Sequence, residues 1–98
     1  MDLAKSLRAL QEAADQADRD LAAARAAADT AASAYDQRRR YAPSGKETDR
    51  ARQAWGMALH EWAHALFNQA AARDQLAAER RDVDRAAEDA LLTPTRRT

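Results

Sequence analysis

The chain has no cysteine and no isoleucine, and among its 98 residues it carries one valine, one phenylalanine, two glycines and two prolines. The lack of cysteine removes disulfides, thiolate catalysis and Cys-based zinc sites together. Strands want β-branched and aromatic residues at period two, and with aromatics at 5% there is almost nothing here to build them from. Net charge is missing as well, because 16 basic residues balance 16 acidic ones, so whole-molecule attraction to nucleic acid or to an anionic membrane is not expected. Long hydrophobic runs are also absent. The most apolar stretch, Trp55 to Ala72, is interrupted by His60, Glu61, His64, Asn68 and Gln69, so no membrane span is expected. Met1 to Leu10 carries Asp2, Lys5 and Arg8 and no apolar core, which is not the pattern of a signal peptide, and the expected location is cytoplasmic.

What the chain does have is helix-forming Ala, Leu, Arg, Glu and Gln in heptad order. Leu3, Leu7, Leu10, Ala14, Ala17, Leu21, Ala24, Ala28, Ala31 and Tyr35 follow one another at alternating spacings of three and four. That is the a/d seam of a long helix, and such a stripe is stable only when another helix covers it. One domain is expected. Most of the 46% hydrophobic content is alanine, which buries little area at roughly 25 cal/mol per Å², while ordering each residue costs about 1 to 2 kcal/mol. Self-association is therefore expected.

The first helix is expected over residues 2–40, with Asp2 as N-cap. Pro43 disfavours helix at Ala42, Gly45 relaxes the chain, and Ser44 with Glu47 three later has the form of a capping box. A turn over 41–45 and a second helix over 46–92 follow, stopped by Thr93-Pro94, with 93–98 left as a flexible polar tail. Two long helices joined by so short a turn fold back as antiparallel neighbours. The pairing sets Ala31 near Trp55, Ala28 near Leu59, Ala24 near Trp62 and Leu21 near Leu66, large against small, as interdigitated layers require. Gln69 to Arg73 interrupt that second seam, and a four-residue stutter moving it from Leu66 to Ala70 is expected there.

Helix two also carries Met57, Phe67 and Ala71 on its outer side, where a solvated helix should be polar. Trp55, Met57, Leu59, Trp62, Leu66, Phe67 and Ala71 are thus the candidate interface residues, and a homodimer of two hairpins forming a four-helix bundle is the simplest way to cover them. Gly56 inside this helix suggests a close backbone approach, since glycine there costs up to about 1 kcal/mol.

Two patterns suggest chemistry. His60-Glu61-Trp62-Ala63-His64 matches H-E-x-x-H, in which two histidines one turn apart hold zinc and the glutamate activates water. No third histidine exists, and Asp82 lies about 27 Å farther along the same helix axis, so the set of ligands is incomplete and catalysis is not expected. The overlapping Glu61-Trp62-Ala63-His64 resembles the E-x-x-H ligand motif of ferritin-like di-iron proteins, and the resemblance implies a metal-binding bundle using His60, Glu61 and His64. The neighbouring helix, however, offers no glutamate at that level. The second pattern is a basic turn: Arg38, Arg39, Arg40, Lys46, Arg50 and Arg52, with Tyr41 among them, form a candidate nucleic-acid contact. Pairs of Asp36 with Arg40, Glu47 with Arg50 and Asp49 with Arg52 would neutralise part of it. Arg8–Glu12, Asp15–Arg19, Arg25–Asp29, Arg80–Asp84 and Arg85–Asp89 have the spacing of structural i,i+4 pairs.

The sequence thus describes an all-α antiparallel hairpin of coiled-coil type, dimerising through helix two into a four-helix bundle. It is expected to act as a non-catalytic protein–protein interaction module, with no cofactor. Metal binding and nucleic-acid contact are the alternatives.

Overall fold

A computed structural model of the chain describes residues 3–92. It contains two helices, α1 (Leu3–Tyr41, 39 residues) and α2 (Lys46–Leu92, 47 residues), and no strand among the described residues. The helix lengths follow from composition, since between the turn and the ends neither helix contains proline and only α2 contains a glycine. The expected N-cap Asp2, the Thr93-Pro94 stop and the tail 93–98 lie outside the described residues.

The turn is built differently from the expected capping box. Gly45 has φ +150°, a conformation that side-chain-bearing residues rarely adopt, and its carbonyl accepts the first bond of α2 from the Asp49 amide at 2.9 Å. Glu47 is drawn across to Arg38 of α1 instead of turning back to Ser44. The residue that closes the corner is Thr48, which is buried and whose hydroxyl donates to the Ala42 carbonyl at 2.6 Å. That bond satisfies a carbonyl left over at the end of α1. Arg38, Arg39 and Arg40 sit in the last turn of α1 while Glu47 and Asp49 sit in the first turn of α2, each complementing the local end of a helix dipole.

α1 and α2 pack side by side and antiparallel in a rod 15 Å by 15 Å across at the Cα level, one helix pair thick. On α1 the covered stripe follows the heptad: Leu7, Leu10, Ala14, Ala17, Leu21, Ala24, Ala28, Ala31 and Tyr35 are buried or half-buried. On α2 the covered stripe is Thr48, Ala51, Trp55, Ala58, Trp62, Ala65, Gln69, Ala72, Leu76, Glu79 and Val83, again at unbroken spacings of three and four. This corrects the phase. Leu59 and Leu66 stand beside the seam, exposed, and Ala58 and Ala65 occupy the places expected for them. No stutter occurs, because Gln69 stays in the seam as a polar residue with a partner.

That partner is Asp18. Its carboxylate accepts from Gln69 Nε2 at 2.8 Å and takes both oxygens onto one Arg73 nitrogen at 2.8 and 3.0 Å, with Arg73 Nε at 3.3 Å. A polar group inside an apolar seam is stable when it is bonded, and it fixes the register of the two helices. Farther out, Arg80 donates to Gln11 Oε1 at 2.6 Å. At the turn end Trp55 stacks on Tyr35, ring centroids 5.6 Å apart and planes 23° from parallel, so this level is large on large, not large on small.

Candidate functional site

The expected interface residues fall into three places. Trp55 and Trp62 lie in the hairpin seam, half-buried against α1. Trp62 also forms the floor of an open cleft of about 400 Å³ between the helices, bordered on α1 by Asp18, Ala22, Arg25, Ala26 and Asp29. Leu59 and Leu66 stand on the flank of α2 next to this cleft, 37% and 46% exposed. Met57 and Phe67 are on the outer face, 67% and 73% exposed, with Ala71 exposed beside them. Gly56 lies between flank and outer face, and a methyl group placed on it would meet nothing within 4 Å. It forms part of a depression bordered by Gln53, Met57, His60 and Glu61. Nothing within the hairpin therefore requires a glycine at 56.

His60, Glu61 and His64 all lie exposed on α2. The Asn68 amide donates to Nδ1 of His64 at 3.3 Å. Glu61 and His64 border a cleft of about 380 Å³ on the side of the rod away from Trp62, with Gln16 and Asp20 across it on α1. Among the described residues no three His, Cys, Asp or Glu side chains converge as a metal set would.

At the turn the arginines are largely engaged. Asp36 holds Arg39 at 2.9 Å and Arg40 at 3.0 Å, Asp49 holds Arg52 at 3.7 Å, and Arg38 is paired with Glu47 in place of the expected Arg50. Lys46 and Arg50 are exposed. Tyr41, 91% exposed, stands over a cleft it shares with Arg38 and Lys46. Along the shafts several expected i,i+4 ion pairs give way to amide contacts: Gln11 with Asp15 at 3.0 Å, Arg19 with Gln16 at 2.7 Å, and Arg80 across to Gln11. A glutamine one turn away competes well because exposed ion pairs gain little over any other hydrogen bond. Arg25 and Asp29, four apart on α1, have no ion-pair partner among the described residues.

The Asp18 carboxyl has its pKa lowered by its partners on α2. The Gln69 amide and then the Arg73 guanidinium hold it below the usual aspartate range, against the opposing effect of burial. Sequence reasoning missed this group, although the signal was present: Gln69 falls on a seam position of the strict repeat that runs from Thr48 to Val83.

No helix among the described residues is long and apolar enough to cross a membrane. Comparison of the chain with protein-family models, with curated proteins and with solved structures finds no match.

Proposed function

We propose that the chain is a helical assembly module that works by binding other helices, in the first place those of a second copy of itself, through α2, and that it carries out no catalysis. The observation that supports this reading is the exposure of Leu59, Leu66, Met57 and Phe67 on a single helix already covered by α1 on another side. A helix with one partner needs one apolar stripe, and its remaining surface is ordinarily polar. Leu59 and Leu66 lie seven apart on the same flank, two turns of the helix with only Ala63 between them on that stripe, and such a row of exposed apolar side chains suits a second helix. The thin core points the same way, since the buried apolar side chains are Ala14, Ala28, Ala65 and Leu76 and the hairpin has little else to stabilise it.

The test is molar mass across a range of concentrations, by sedimentation or light scattering. A mass of two chains at micromolar concentration is expected, falling towards one chain on dilution. A well-folded chain that stays monomeric at every concentration would refute the reading.

A further inference from the structure

One residue after each seam position of α2 runs a second repeat, Gly56, Leu59, Ala63, Leu66 and Ala70, again at spacings of three and four. At 100° per residue this stripe lies a quarter turn round the helix from the contact with α1. All of its members are exposed in the hairpin. Bulky and small residues alternate along it, which is the pattern of a surface that interdigitates with a copy of itself running the other way.

The charges at its ends select the direction. Asp49 and Arg52 precede the stripe, and Arg73 and Asp74 follow it. Two copies of α2 laid parallel would set like charges against like at both ends. Laid antiparallel with Leu59 of one level with Ala63 of the other, Asp49 falls level with Arg73 and Arg52 comes within about one turn of Asp74. The same register places Leu66 of each copy over Gly56 of the other, which accounts for a helix-interior glycine that the hairpin itself does not need. It also places the twofold axis at the level of Glu61, and the cross-links from Asp18 to Gln69 and Arg73 put Ala28 of α1 at that level. On the face that carries the Trp62 cleft, Arg25 and Asp29 flank Ala28. Across the axis, Arg25 of one copy meets Asp29 of the other, and the four helices close into a square. Neither group has an ion-pair partner within the hairpin among the described residues, so both are available to that contact.

We infer that a second copy of this chain docks on the flank of α2 formed by Gly56, Leu59, Ala63 and Leu66, antiparallel about a twofold axis at the level of Glu61, with Leu66 of each copy seated over Gly56 of the other. The inference rests on the reading of the chain as a self-associating module and assigns the surface and the register.

Because the chain has no cysteine of its own, introduced ones report the register without interference. Gly56→Cys chains mixed with Leu66→Cys chains under mild oxidation should give the mixed disulfide well in excess of either self-disulfide. Two copies of position 66, or of position 56, would be about 15 Å apart along the axis, beyond the roughly 4.4 to 6.8 Å that a disulfide spans. Since a side chain at 56 fills the notch, a second measurement avoids that position. Arg25→Glu should weaken the dimer about fivefold by sedimentation, and Arg25→Glu with Asp29→Arg should restore it. Self-disulfides at 66 in excess, or a double charge swap no tighter than the single change, would overturn the assigned surface while leaving self-association standing. A monomeric mass for the unaltered chain would overturn both.

Discussion

Replacing Gly56 by alanine separates what the hairpin needs from what its partner needs. Position 56 lies well inside α2, its surroundings are open, and an added methyl has no atom within 4 Å. Helix propensity then acts alone, and alanine should stabilise the isolated hairpin by about 0.8 to 1 kcal/mol, partly by restricting the unfolded chain. For a protein of this size that corresponds to a rise of about 4 to 8 °C in Tm. The assay is thermal unfolding followed by circular dichroism at a concentration low enough to give monomer. At high concentration the same methyl meets Leu66 of the second copy, so the gain should shrink or reverse and the dimer should dissociate more readily. A dilute variant less stable than its parent would refute the reasoning, because it would mean that something within the hairpin already occupies the space beside Gly56.

Other changes test other levels of the structure. Leu76→Ala removes the one large apolar side chain in the buried set and should cost about 2 to 3 kcal/mol, read as a lower denaturant midpoint, whereas Phe67→Ala, on the outer face, should shift the dilute hairpin by less than about 0.5 kcal/mol. Thr48→Val keeps the shape but leaves the Ala42 carbonyl without its donor, for a loss of about 1 kcal/mol with unchanged m-value. Asp18 has a carboxyl pKa lowered in the folded state, so its contribution to stability is fully present above about pH 4, the ordinary aspartate value, and is lost as pH falls through the folded value. An acid titration of Tm should therefore show a limb below about pH 4 that Asp18→Asn flattens, while a limb unchanged by that substitution would remove Asp18 from the account.

The two helices, their turn and the α1 seam were legible in the sequence because each rests on local chemistry: Pro43 and Gly45 interrupt an otherwise continuous run of helix formers, and the heptad of α1 contains no rival stripe. The phase of α2 was not legible in the same way, since two adjacent stripes compete there. Weighing residues by size favours Trp55, Leu59, Trp62 and Leu66, whereas the strict three-four spacing favours Trp55, Ala58, Trp62, Ala65 and Gln69. The structure follows spacing, and it does so because Asp18 satisfies the amide of Gln69, a contact 51 residues away that no local window contains. Ion pairing was the least legible. Glu47 takes Arg38 over Arg50 because the turn brings α1 within its reach, and long side chains on an exposed rod have several partners of nearly equal value. Of the candidate site, the sequence identified the apolar excess of α2 but divided it wrongly between the seam and the flank.

The cross-link at Asp18 matters for a reason that only a repetitive protein raises. Ala17, Ala24 and Ala31 of α1 and Ala51, Ala58, Ala65 and Ala72 of α2 recur every seven residues, so these teeth of the zipper discriminate poorly against a slide by one heptad. Sliding would carry Asp18 about 10 Å away from Gln69 and Arg73 and leave all three to water. One aspartate thus acts as a detent partway along the rod, adding to the closed turn and the Tyr35–Trp55 stack a further rung on which the ladder locks.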